Sequence, residues 1–349
     1  MTLVTPNYFP EIRLSLFLTI LLFSITDAAA QLPRLVIPAG HTSIVVDARY
    51  SPNGKYIVTA GWDNVARVWQ AADGRLLFEL KAHTGSVTSA SFSPDSKLIL
   101  TTSKDGLALL WDAQTGGLRA RLKGHKDVVN AGAFSPDGRF AATASLDGQC
   151  IIWQAADGKL LHRIDAHTGS IVTIDFSTAS DKLLTASSDH TAAIWDIQGG
   201  YLLYRLLGHR GAIRGARFSA DGNFAATASA DSTVRLWRVN GGLSLSEFVG
   251  HQGPVNDVVF GGPGQLLSCS DDSTVRIWGI GGSSQNMILR GHLGPVKSVS
   301  PGQDKKLLVS ASEDGKAIIW DDQTGRQLQV LKGHTGWLNG ARFSPDGTK

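Results

Sequence analysis

The chain has 349 residues, with 39 Gly, 12 Pro, 9 Trp, 18% charged residues and a formal net charge of +3. A 42% hydrophobic content excludes a disordered chain, and Lys and Arg spread singly instead of in runs exclude a polyanion-binding tail and give no reason to expect a nucleic-acid partner. The only two cysteines, Cys150 and Cys269, fall at unrelated positions and exclude a disulfide framework. At the N-terminus, Arg13 precedes the apolar run LSLFLTILLFSI (Leu14 to Ile25), and Ala28 and Ala30 stand in an A-x-A arrangement before Gln31. That is the layout of a signal peptide over residues 1–30. The run of 12 residues falls short of the roughly 17–25 that span a membrane as a helix. The expectation is an exported protein, periplasmic or secreted, with no membrane span in the mature chain; the alternative is a tether through an uncleaved signal anchor.

From Gly40 onward the chain repeats itself. Histidines following Gly or Ala recur at His41, His83, His125, His167, His209, His251, His292 and His334, every 42 residues with one interval of 41. After the His comes an apolar alternation that ends in an aromatic in all copies but the seventh, as in SVTSASF (Ser86 to Phe92), and then a turn such as SPDG. A second run such as FAATAS (Phe140 to Ser145), a tight turn LDGQ, the run CIIW and a last run such as KLLHRI (Lys159 to Ile164) complete the period. Short alternating or β-branched runs between Gly, Pro and Asp turns predict four antiparallel strands per copy.

Three further residue types keep the same phase, so each complete copy carries a set of four. The sets are His41, Thr59, Asp63 and Trp69; His83, Thr101, Asp105 and Trp111; His125, Thr143, Asp147 and Trp153; His167, Thr185, Asp189 and Trp195. They continue with His209, Thr227, Asp231 and Trp237; His251, Ser268, Asp272 and Trp278; His292, Ser310, Asp314 and Trp320. A Ser-His-Asp triad or a metal site is needed once, whereas this constellation occurs in all seven complete copies, so its reading is structural. No Gly-rich phosphate loop, CxxC pair or isolated carboxylate pair stands out, and no convergent set of unphased acids or histidines marks a channel mouth. No catalytic residue, cofactor or metal site is expected.

A period of this length, with Gly-His near one end and Trp-Asp at the other, resembles the WD40-repeat family, in an exported form similar to bacterial WD40-repeat proteins. The resemblance covers residues 34–349. The Trp-Asp dipeptide itself survives only at Asp112, Asp196 and Asp321; Gln70, Gln154, Arg238 and Gly279 follow the other tryptophans. The resemblance implies an all-β fold, a propeller of seven four-stranded blades over residues 31–332, followed by an incomplete eighth repeat over 333–349. It also implies that each set of four forms a buried chain of hydrogen bonds, from indole to hydroxyl to imidazole to carboxylate. Burial of such groups without partners would cost more than each bond gains.

The resemblance further implies that three positions per blade line one face of the ring: three and five residues after the His, and the residue before the Asp. These positions give a candidate partner face of Ile44, Val46 and Trp62 in blade one, Lys104 in blade two, Val128, Asn130 and Leu146 in blade three, Val172 in blade four, Arg214 in blade five and Lys297 in blade seven. A Trp among aliphatics bordered by polar groups is hot-spot composition; the competing reading is that Trp62 packs on a neighbouring loop. The implied function is a non-catalytic scaffold for a protein or peptide partner. The alternative is a sensor or docking propeller of a larger protease-like or kinase-like enzyme.

Two features of the copies remain. Pro301 stands where other copies carry Phe or Tyr, which marks blade seven as the least stable. The final GHTGWLNGARFSPDGTK (Gly333 to Lys349) lacks a second or third strand and the Thr, Asp and Trp of the phased set, and reads as the cut edge of a longer protein. For the outer strand of blade seven, RLVI (Arg34 to Ile37) and RQLQVL (Arg326 to Leu331) compete.

Overall fold

The computed structural model describes residues 40–281, 286–304, 306–347 and 349; the segment read as a signal peptide and the run Arg34 to Ile37 lie outside them. Among the described residues, 28 strands form seven four-stranded antiparallel sheets, each built from consecutive strands of one copy. Blade one is typical: β1 (Val45–Tyr50), β2 (Tyr56–Gly61), β3 (Ala66–Gln70) and β4 (Leu76–Leu80) pair in the order β1-β2-β3-β4. The tight turns follow from the sequence, since the Gly of SPDG at Gly138 adopts φ 74° and that of LDGQ at Gly148 φ 75°, where glycine carries no Cβ penalty.

Adjacent blades stack face to face and share their cores. Val58 and Ala60 of blade one pack in one cluster with Val87, Ala90 and Phe92 of blade two. The Ala-rich second strands, such as FAATAS, let neighbouring sheets approach closely, while the Trp and branched side chains fill the space between them. No helix long and apolar enough to cross a membrane occurs among the described residues.

One recurrent irregularity positions side chains for function. In every blade the pairing of the innermost strand slips by one residue near its start, skipping Val46, Thr88, Asn130, Val172, Arg214, Asn256 and Lys297 in turn. Such a bulge leaves one residue outside the ladder and re-aims its side chain. These are the positions five residues after each His, and the bulge delivers them to the rim.

The outer strand of blade seven is the C-terminal candidate: Gln327–Leu331 pairs with Ala317–Asp321. All seven blades are thus contiguous in sequence. The eighth copy sits between blade seven and blade one. Its Leu338 N–H donates to Ser312 O at 3.1 Å and its Ala341 N–H to Ser298 Oγ at 3.3 Å. Leu338, Ala341 and Phe343 cover the blade-seven cluster Val309, Ala317 and Ile319. On the other side, Lys349 Nζ reaches Ala71 O of blade one at 3.5 Å. Residues 336–344 carry no strand pairing.

Candidate functional site

The phased sets of four form the same chain of hydrogen bonds in every blade. In all seven blades the Trp Nε1–H donates to the Thr or Ser hydroxyl at 2.8–2.9 Å. The same hydroxyl lies 2.8–2.9 Å from the His Nε2. The His Nδ1 lies 2.8–3.2 Å from an Asp oxygen. Burial pushes the pKa of each of these seven histidines down, against the pull of its Asp. A neutral imidazole fits both contacts: Nδ1–H donates to the carboxylate and Nε2 accepts the hydroxyl proton. Burial works against ionisation of Asp231 and Asp272 as well. Hydrogen bonds from Thr233 and Arg210 N–H to the first, and from Thr274 and Gln252 N–H to the second, outweigh it and hold both down to about 2.

Each imidazole also has a cation near enough to lower its pKa further. In blades one and five it comes from the third strand, Arg67 and Arg235, each facing a glutamate on the fourth, Glu79 and Glu247. In blades two to four it comes from the fourth strand, Arg121, Arg163 and Arg205, each facing an apolar residue, Leu109, Ile151 and Ala193. Blade six uses Arg276 and blade seven Lys316, both of which help depress the adjacent imidazole. Four uncharged-or-paired groups and one external cation leave each set with little reactive potential.

The rim divides into two unlike halves. On one half, Ile44 is 50% exposed and Trp62 42% exposed, with Leu146 and Val172 also exposed and Val46 and Val128 half-buried. The Lys104 ammonium lies 4.5 Å from the Trp62 ring centroid. Asn130 is half-buried and donates to Ile171 O of blade four at 3.1 Å, as Thr88 does to Val129 O at 2.5 Å. These two polar bulge residues stitch neighbouring blades together.

On the other half the charges are consumed internally. Arg214 Nη1 donates to Asn256 Oδ1 at 2.6 Å and Asp271 Oδ2 at 3.0 Å. Lys297 Nζ lies 2.9 Å from Asp271 and 3.0 Å from Glu313. Burial disfavours the Lys297 charge, yet Asp271 and Glu313 outweigh it and raise its pKa. Arg214 and Lys297 therefore face their own neighbours first.

One rim residue escaped the sequence reading. Trp337 stands three residues after His334, the same offset as Ile44 in its own copy, and is 69% exposed. The phase of the repeats was the signal that could have found it. The next residue, Leu338, bonds to Ser312 O of blade seven, as Trp62 N–H bonds to Ile44 O within blade one. Of the two unphased histidines, His190 is exposed, while His162 is half-buried and bonded through Nε2 to Gln198 O of blade four at 2.8 Å. Both cysteines are buried, and burial pushes Cys150 up to about 12, so neither supplies a thiolate. No cluster of three or more metal-ligating side chains occurs among the described residues.

The family model described as "WD domain, G-beta repeat" matches residues 33–70, 74–112, 116–154, 158–196, 200–238, 242–279, 283–321 and 325–349. Among solved structures, the chain is similar to the computationally designed Ika8 protein, at 28% identity and a TM-score of 0.77, over 86% of this chain and 90% of that one. Among curated proteins, it is 50% identical over 40 residues to Ribosome assembly protein 4 of Chaetomium thermophilum, covering 12% of this chain and 8% of the relative's length. The chain belongs to the WD40-repeat family.

Proposed function

We propose that this WD40-repeat propeller is a non-catalytic interaction scaffold that holds a protein or peptide partner on the apolar half of its rim, at Ile44, Val46, Trp62, Val128, Leu146 and Val172. The contrast between the two halves carries this reading. One half presents bulky apolar side chains to solvent around a Trp, which is the composition of an interface anchor. The other half closes its charges on itself and has less to offer. The likeness to Ribosome assembly protein 4 spans one repeat and supports the repeat, not a partner. The test is capture of a native partner on the immobilised chain and on Trp62→Ala. The substitution weakens capture by about 2 kcal/mol or more while the thermal midpoint stays put; equal capture by both overturns the assignment.

We propose also that the scaffold works outside the cytoplasm. The apolar run after Arg13 and the Ala28-x-Ala30 pattern support this reading. Sequencing the N-terminus of the mature protein decides it: a start at Gln31 supports export, and retention of the residues before it argues for the uncleaved anchor.

A further inference from the structure

A second feature lies away from the rim. Three copies carry an arginine eight residues after the repeat histidine: Arg49, Arg217 and Arg342. Contacts across several blades show where this position points. Arg217 Nη1 donates to Thr173 Oγ1 of blade four at 3.1 Å, and Arg217 Nη2 approaches Asp257 Oδ1 of blade six at 4.0 Å. Side chains that reach both neighbouring blades from an innermost strand line the inner wall of the ring.

Three carboxylates face the same space, and each is engaged. Asp47 accepts from Arg49 Nε at 2.9 Å, Asp175 accepts from Phe218 N–H at 2.7 Å, and Asp257 faces Arg217. Arg342 differs. It is exposed, and it makes no hydrogen bond or ion pair among the described residues. Its strongest electrostatic neighbour is a like charge: Arg49 first, and then the protein crowded around the guanidinium, bring the Arg342 pKa down to about 10 against the opposing pull of Asp47 and Asp257. Arginine keeps its proton at neutral pH regardless, so two guanidinium groups stay charged side by side.

Arg49 and Arg342 line a cleft of about 320 Å³ together with Tyr50, Gln303 and Ser344. Asp346 lies close enough to act on Tyr50 at the margin of the cleft. It accepts from Ser344 Oγ at 2.6 Å and helps raise the Tyr50 pKa, after burial. We propose that this cleft binds a phosphate-type oxyanion, bridged between the Arg49 and Arg342 guanidiniums. Each guanidinium presents a planar fork that pairs two oxygens. A tetrahedral oxyanion has enough oxygens for two forks, whereas a planar carboxylate fills one. Tyr50 O–H and the Gln303 amide add neutral donors at the margin. The volume lies near the low end of ligand pockets, which run roughly 300–1,000 Å³, and so suits a small anion better than a nucleotide cofactor.

The test is calorimetric titration of the full chain with inorganic phosphate, at ionic strength held constant with chloride, beside thermal midpoints with and without phosphate. The parent binds one phosphate saturably, and the midpoint rises with it. Arg342→Gln weakens binding at least tenfold, Arg342→Lys weakens it less, and Arg119→Gln at the surface leaves it unchanged. Because Arg342 makes no hydrogen bond or close ion pair among the described residues and its repulsion by Arg49 outweighs the pull of Asp47 and Asp257, Arg342→Gln keeps the phosphate-free midpoint, which separates lost binding from lost folding. No saturable heat in the parent, unchanged binding in Arg342→Gln, or acetate binding as tightly as phosphate overturns the proposal.

Discussion

Blade two and the eighth copy open with nearly the same words, AHTGSVTSASFSPD and GHTGWLNGARFSPD, and end in different states. In blade two, Val87–Phe92 pairs with Leu98–Ser103, and buried His83 bonds to Thr101 and Asp105. In the eighth copy the matching segment is unpaired, and half-buried His334 has no side-chain partner among the described residues. The docking of the opening turn is nevertheless shared. A Cβ on Gly148 of blade three would lie 2.4 Å from His167 O of the next copy, and one on Gly315 of blade seven 3.1 Å from His334 O. The first half of a copy thus suffices to seat against the preceding blade. The ladder and the hydrogen-bonded set of four require the second half, which supplies the neighbouring strand, the hydroxyl, the Asp and the Trp.

The largest test of that contrast is pH, because it acts on seven buried imidazoles at once. Their folded pKa values lie below the ordinary 6.5, so the unfolded chain takes up protons that the folded ring refuses. Stability is then full above pH 6.5 and falls as acid passes through the unfolded value. The depressed aspartates add their loss only at lower pH, below their ordinary 3.8. Raised Asp175 and Asp257 work the other way in the acid range. We expect the thermal midpoint to drop by about 5 °C or more between pH 7.5 and 5.5; a flat profile would break the assignment of neutral imidazoles.

The smaller test compares two single histidines. His83→Ala leaves the Thr101 hydroxyl and the Asp105 carboxylate short of a partner in a buried site and should cost about 3 kcal/mol. His334→Ala removes a group that bonds to no neighbouring side chain and should stay within about 0.5 kcal/mol. Denaturant midpoints of the two variants measure the difference. Equal costs would mean that the eighth copy is as fully built as blade two.

Much of the rim was readable once the phase of the copies was known, because the bulge that aims Val46, Arg214 and Lys297 recurs with the repeat. How those side chains spend their charge was not readable. The Arg214–Asp271–Lys297–Glu313 network joins three copies, and nothing local to one copy shows that its partners lie within reach. The cations beside the hydrogen-bonded sets were likewise hidden, since they alternate between the third and fourth strands and lose their phase in the sequence. Trp337 was missed for a simpler reason: the last copy was treated as an edge instead of being read by the same offsets.

By itself, the sequence determined the four-stranded copy, its turns and its sets of His, Thr or Ser, Asp and Trp, because alternation, glycine conformations and hydrogen-bond spacing act within a few tens of residues. Only the tertiary structure decided that Gln327–Leu331 takes the outer place in blade seven, that the eighth copy enters between blades seven and one, and that Arg342 meets Arg49 across nearly the whole chain. Those outcomes depend on how the blades stack around the ring, and that stacking is summed over every interface at once.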